Sequence, residues 1–408
     1  MRIGIPKETF PGENRVALVP NSLLALNKQG FKVIVEQGAG TAAGFSDAEY
    51  ERRGAQLVAD RSEVFSADVI LQVRSAGANP EAGASDMPQL TGDQTVIGFC
   101  EPLSEPQTIS EFAKHGATLF SMETIPRITR AQSMDALSSM ATVAGYKAAL
   151  LAASALPKMF PMMMTAAGTI APAKVFVVGA GVAGLQSIAS CRKLGAVVSA
   201  YDIRPAVKEE VESLGAKFLE FDLDTEQAQG SGGYAKEAKE EFYAKQREMM
   251  LNAMADHDVV ITTAAVPGRK APILVTKEMV ERMQPGSVIV DLAAERGGNC
   301  ELTCPGETVM HNGVTVLCPV NLPAEVPFDA STMYAKNIST LLLHLTADGA
   351  FQLDMDDEIT RETLIVRSGE VVHPVVRDAL GLPAVEQTAA AVEASATESD
   401  SQTEKGNV

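Results

Sequence analysis

Between Lys174 and Asp202 the sequence runs KVFVVGAGVAGLQSIASCRKLGAVVSAYD, an order of residue types that few folds accommodate. A short β-branched and aromatic run, Val175 to Val178, leads into Gly179-x-Gly181-x-x-Gly184. A helical pattern follows at Leu185, Ile188, Ala189 and Leu194, then a second strand from Val197 to Tyr201 that ends on Asp202. Strand, glycines, helix, strand and terminal acid all stand where a dinucleotide-binding βαβ unit requires them, a stronger signal than the glycines alone. Gly179 permits a tight turn, Gly181 lets the backbone approach a pyrophosphate, and Gly184 allows close helix–strand packing. The helix N-terminus offers unpaired N–H groups and partial positive charge to phosphates. Asp202 suits the adenosine ribose hydroxyls and repels a 2′-phosphate, which favours NAD over NADP, although Arg204 two residues on works against that preference. Val182 and Ile203 are counted with these residues as cofactor contacts. The alternative is a Rossmann-like domain that packs its glycines and binds nothing.

The charge balance narrows the partners. Of 408 residues, 34 are Lys or Arg and 52 are Asp or Glu, a net charge of −18. That argues against nucleic acid, whose phosphates are bound mainly through Lys and Arg. The start, MRIGIPKET, has no apolar leader, and no run reaches the roughly 18 uncharged apolar residues of a membrane span. A soluble protein is expected. Five cysteines without framework spacing suit a reducing cytoplasm. Cys300 and Cys304 have no second pair or histidines nearby, so no metal site is expected.

Strand and helix patterns alternate elsewhere, which implies an α/β fold of two Rossmann-like domains with mostly parallel sheets and a cleft between them. Residues 1–135 and 325–384 form a discontinuous first domain, residues 136–324 the dinucleotide domain, and residues 385–408, acidic and without large apolar groups, a disordered tail. Strands are expected at Ile3–Pro6, Phe31–Glu36, Val69–Val73, Thr95–Phe99 and Leu119–Glu123, with a Gly/Pro/Ala loop over Ala76–Pro88. A polar segment with Arg127, Gln132, Asp135 and Ser138 then leads into a long Ala- and Ser-rich helix ending before Pro157. Its interdomain position suits a ligand. Its other reading is a helix N-terminus with ordinary caps at Ser133 and Asp135. Beyond Asp202, a glycine-bearing insertion (Asp222 to Tyr234) puts Gly233 and Tyr234 either against a ligand or in a plain surface loop. Strand Val259–Thr263 delivers Ala264 and Ala265 to the carboxyl edge of the sheet, near any dinucleotide. A helix from Ala330 to Leu345 crosses back to the first domain, and Ile365 to Val372 suits a hairpin.

Longer motifs carry a family resemblance. Ile3-Gly4-Ile5-Pro6-Lys7-Glu8 with Glu13-Asn14-Arg15-Val16-Ala17 resembles the start shared by alanine dehydrogenases and the NAD(H)-binding alpha subunit of proton-translocating NAD(P) transhydrogenases. Pro267 to Pro272 and Asp291 to Asn299 resemble both as well. The Arg127 to Ser138 cluster, the Pro161 to Gly168 run and the Gly232 to Lys236 loop resemble the transhydrogenase alone, and the likeness covers residues 1 to 384.

Alanine dehydrogenases hold a keto acid with an arginine, a lysine and a catalytic histidine. Arg15 and the strand-end Asp291 are retained here, but Arg74 stands at the lysine position and Gly98 to Glu101 offers no histidine. Arginine stays protonated and cannot replace an acid–base group. The keto-acid pocket is therefore expected to be dismantled, which makes an alanine dehydrogenase-type oxidoreductase the lesser alternative.

The resemblance implies a Re/Si-specific transhydrogenase subunit that binds NAD(H) and passes hydride directly to NADP(H) on a partner subunit, coupled to proton translocation. By resemblance, Arg127, Gln132, Asp135 and Ser138 hold the nicotinamide end, Gln132 bridges toward the incoming cofactor, and Tyr234 closes over bound NAD(H). It further implies a homodimer on the cytoplasmic side of the inner (plasma) membrane, attached through partner subunits.

Overall fold

Alternation along single strands explains the architecture of the computed structural model, which describes residues 1–220, 247–264, 268–347 and 349–383. Val69, Leu71 and Val73 face one core while Ile70 faces another. Val33 and Val35 part from Ile34 in the same way, and Phe120 from Leu119. Strands buried on both faces belong in a largely parallel sheet covered by helices on each side.

The first sheet has eight strands, in the order Glu370–Val371, Leu364–Arg367, Thr118–Ser121, Thr95–Phe99, Val69–Arg74, Arg2–Ile5, Lys32–Glu36 and Gln56–Val58. Pairing is parallel except at the two C-terminal strands, which form the expected hairpin and extend the sheet of residues 2–121. The second sheet runs Lys217–Phe218, Val197–Tyr201, Lys174–Val178, Val259–Thr262, Val288–Asp291, Val314–Leu317 and Thr308–His311, antiparallel only at its last pair. Val175, Val177 and Ile261 pack on Ala148, Ala149 and Ile188 on one face. Phe176, Val178 and Val260 meet Met250, Met254 and Met279 on the other. The chain is thus α/β with two Rossmann-like sheets.

Two long helices join the layers. Ala136–Ala155 is long and apolar enough to cross a membrane, yet Met140 and Val143 enter the first core and Ala148, Ala149 and Ala152 the second. Its small residues permit very close packing. A Cβ at Gly145 would stand 2.2 Å from the Ala183 carbonyl oxygen, and the Ser187 hydroxyl donates to the Gly145 carbonyl at 3.0 Å. Helix Pro327–His344 returns to the first sheet, where the Tyr334 hydroxyl donates to the Gln72 carbonyl at 2.8 Å.

The structure departs from expectation mainly in short elements. The stretch read as a loop from Ala76 contains three 3-10 turns, Ala76–Ala78, Ala82–Ser85 and Met87–Gln89. Hairpins at Met163–Thr165 with Gly168–Ile170 and at Thr346–Ala347 with Ala350–Phe351 carry no two-residue periodicity long enough to read. The tail at 385–408, the insertion ending at Gly233 and Tyr234, and Ala265 lie outside the described residues.

Candidate functional site

The glycine turn has the shape a phosphate needs. Gly179 has φ +98°, and a Cβ on it would stand 2.6 Å from the Thr263 hydroxyl oxygen. A Cβ on Gly184 would fall 1.9 Å from the Gly179 carbonyl oxygen, so helix Val182–Lys193 can pack there only without a side chain. Around Gly181 a Cβ would meet nothing within 4 Å, which leaves open space over the start of that helix. No side chain caps the helix and its first turn holds no acid, so its N–H groups are free to meet an anion. Val182 is exposed beside them.

Asp202 ends strand Val197–Tyr201 with both oxygens engaged. Oδ2 accepts from the Ala180 N–H at 2.7 Å, tying the acid to the glycine turn, and Oδ1 accepts from the Arg204 N–H at 2.8 Å. The Arg204 guanidinium adds contacts of 3.0 Å to each oxygen. Partial burial would raise the Asp202 pKa, but the bonds from Arg204 and Ala180 outweigh it and hold the carboxyl below its ordinary value. Ile203 projects into solvent between them, 68% exposed. Ala264 follows the neighbouring strand, Val259–Thr262.

A cavity of about 450 Å³ opens between the carboxyl ends of the two sheets, with Phe99 and Arg127 on one wall and Gly181, Val182 and Thr263 on the other. Its two sides touch at the mouth. Arg296 places Nη2 at 2.8 and 2.6 Å from the two carboxylate oxygens of Glu101, and a Cβ on Gly268 would lie 2.5 Å from Leu103 Cβ.

The floor is a buried charge network. Glu13 accepts from Arg15 at 2.7 and 2.6 Å and from Arg74 at 3.1 Å, while Asn321 bridges Arg15 and Glu13 at 3.1 Å each. Burial favours the neutral acid, but Arg15 and Arg74 overcome it and bring Glu13 down to about 2. Glu8 has only main-chain donors, at Val73 and Arg74, and burial together with the Glu13 charge pushes it up to about 8. Glu123 lies closer to the mouth and accepts from the Cys100 and Glu101 N–H groups at 2.8 Å each and from the Ser121 hydroxyl at 2.6 Å. Burial and the Glu101 charge raise it to about 7.

Arg127 and Ser138 line this cavity; Gln132 and Asp135 sit beside it. Gln132 is exposed on the 3-10 turn Thr129–Met134. Asp135 caps helix Ala136–Ala155, its oxygens accepting from the Ser138 N–H at 2.8 Å and hydroxyl at 2.5 Å; Ser133 makes no cap bond. Among the described residues, Arg127 has no carboxylate partner. No described group of three His, Cys, Asp or Glu side chains could hold a metal ion.

One retained acid needs correction. Asp291 is fully buried and faces away from the cavity, accepting five bonds from Thr262, Ala293, Asn299, Cys300 and Thr303. The acid that this stretch sends to the cavity is Glu295. Glu101, Glu123, Arg296 and Asn321 also escaped the sequence reading. The positive φ angles of Glu101 (48°) and Asn321 (50°), which aim their side chains, have no signature in residue type.

The family of the alanine dehydrogenase/PNT N-terminal domain matches residues 4–144, and that of the C-terminal domain matches residues 148–374. The chain belongs to the alanine dehydrogenase/PNT family. Within it, the first portion of the NAD(P) transhydrogenase alpha subunit of Rhodospirillum rubrum, a chain of its own there, is 44% identical over 380 residues, covering 92% of this chain and 99% of that one. Alanine dehydrogenase of Bacillus subtilis is 28% identical over 390 residues, covering 93% and 95%. A solved transhydrogenase from Sinorhizobium meliloti superposes with a TM-score of 0.82 at 44% identity, covering 91% of this chain and all of that one. In this alanine dehydrogenase/PNT member the glycine turn, Asp202, Arg127 and Ser138 surround one interdomain space.

Proposed function

We propose that this chain is the NAD(H)-binding alpha subunit of a proton-translocating NAD(P)+ transhydrogenase, passing hydride from NADH to NADP+ on a partner subunit. The observation that carries this is the 44% identity to a transhydrogenase alpha-subunit chain along essentially its whole length, against 28% for an alanine dehydrogenase. Two features of the cavity support it. None of the five histidines lines it, so it lacks the acid–base group that reductive amination needs. Arg15, the carboxylate-binding candidate, already has its guanidinium tied to Glu13 and Asn321.

The open space over Gly181, the uncapped helix start and the acid at Asp202 fit NAD(H). NAD(H) supplies the hydride, which is a transfer without protons. The chain's own task is positioning. The glycine turn binds pyrophosphate, and Asp202 exchanges the Arg204 guanidinium for ribose hydroxyls. Arg127 and Ser138 orient the nicotinamide end from the opposite wall, and Gln132, exposed at the rim, meets the partner's cofactor.

The Re/Si-specific geometry, the coupling to proton movement and the peripheral place at the inner membrane through partner subunits belong to the same proposal. A homodimer belongs to it too. The hairpin Met163–Thr165 with Gly168–Ile170 stands out with Met162, Met164 and Ile170 exposed, an apolar surface suited to a second copy. Sedimentation of the purified chain tests the dimer. Titration with NADH followed by pyruvate and ammonium tests the activity. Binding without turnover, and hydride transfer once an NADP(H)-binding partner is added, is the expected result. Turnover of the chain alone would replace the proposal by an amino-acid dehydrogenase.

A further inference from the structure

Asn299 is fully buried and spends every polar atom on the strand end beside the glycine turn. Its side-chain Oδ1 accepts from the Ala264 N–H at 2.9 Å, and Nδ2 donates to the carbonyls of Ala264 at 2.8 Å and Pro272 at 2.9 Å. Its main-chain N–H donates to Asp291 at 2.7 Å, and its carbonyl accepts from Leu274 and Val275 at 2.8 and 3.0 Å. The side chain is a primary amide, and here it pairs with both polar groups of Ala264 as the backbone of an adjacent strand would.

Ala264 needs that partner because strand Val259–Thr262 has ended and the last bond to its neighbour is from the Thr263 N–H to the Val178 carbonyl, at 2.9 Å. Asn299 extends the ordered backbone past that point. Gly179 lies alongside, since a Cβ on it would be 3.5 Å from the Ala264 nitrogen. Asp202 ends the strand on the other side of Lys174–Val178. In sheets of this order a dinucleotide straddles the first strand, with its adenosine over the acid and its other half over the strand that leads to Ala264.

We propose that Asn299 is a positioning residue for the nicotinamide half of bound NAD(H), acting through the main chain of Ala264. The inference rests on the reading that NAD(H) occupies the Gly179–Asp202 edge. Asp291 delivers the asparagine by collecting the N–H groups of Ala293, Asn299 and Cys300 and so fixing the turn that carries it. A fixed Ala264 gives the nucleotide a wall in one place.

The test measures Kd for NADH and for ADP, which carries only the adenosine half and its phosphates, on the full chain with wild-type, Asn299→Ala and Asn299→Asp proteins. Asn299→Ala leaves both polar groups of Ala264 unpaired, and the expected rise in the NADH Kd is about tenfold with the ADP Kd unchanged. Asn299→Asp keeps the acceptor but regains a donor only when protonated, so its NADH Kd falls as pH is lowered from about 8 to about 6. Equal losses for NADH and ADP would make Asn299 a general structural residue and overturn the proposal, as would wild-type NADH binding in both variants. If Asn299→Ala does not fold, a flat pH profile for Asn299→Asp overturns it alone. Wild-type protein that binds neither ligand would remove the dinucleotide reading and this inference with it.

Discussion

Arg204 reaches back over Asp202, its Nε 3.0 Å from Oδ1 and its Nη2 3.0 Å from Oδ2. The carboxylate suited to reading ribose is therefore already paired, and nucleotide entry exchanges one set of bonds for another. Asp202→Ala is expected to raise the NADH Kd by at least about tenfold, the scale of a lost charged hydrogen bond, and to narrow the preference over NADPH. Equilibrium binding of both nucleotides checks it. An unchanged preference would mean that another residue reads the ribose.

Two glycines three residues apart should fail in opposite ways. Gly184→Ala drives a methyl into the Gly179 carbonyl, 1.9 Å away, and is expected to cost about 1–3 kcal/mol of stability by overpacking. Gly181→Ala meets no protein atom within 4 Å, so thermal unfolding stays put while NADH binding weakens. Calorimetry and titration on the same two variants separate these outcomes.

Glu123 makes stability depend on pH near neutrality. Its carboxyl rises from an ordinary 4.5 to about 7, so between those values the folded chain holds a proton that the unfolded chain has lost. Its contribution is complete below about pH 4.5 and disappears as pH rises through about 7. Glu123→Gln keeps an acceptor for the Cys100 and Glu101 N–H groups and does not titrate. The fall in Tm between those pH values should be shallower in the variant than in wild type. Parallel curves would show that Glu123 titrates normally.

Gln132 is exposed and does not line the cavity, so its effect should appear in transfer rather than in binding. With a partner subunit supplied, Gln132→Asn is expected to slow hydride transfer at least about tenfold while the NADH Kd changes little, the pattern of a group that acts only when the reacting atoms meet. Transfer at the wild-type rate would take Gln132 out of the mechanism.

Strands with strict alternation were readable because both sheets bury both faces: Val69 to Val73 and Val175 to Val178 carry their geometry in residue type. The glycine turn was readable for a related reason, since Gly184 has a steric requirement that no other residue meets. The cavity floor was not. Glu8, Glu13 and Glu123 look like ordinary surface acids until the fold places them behind Arg15 and Arg74, and their protonation depends on burial across elements far apart in the chain. Asp291 misled for the same reason: a strand-end acid resembles a site residue, and only the course of residues 293–303 shows that its oxygens are saturated from within.

Helix Ala136–Ala155 begins in one core and ends in the other, so the two halves share a single structural beam. The two family domains meet between residues 144 and 148, in the middle of it. A gene cut at that seam would yield an N-terminal fragment with a truncated helix and a C-terminal fragment missing the stretch that seats Met140 and Val143. Neither fragment would be a free-standing module, and the whole chain should melt as one cooperative unit despite its two sheets.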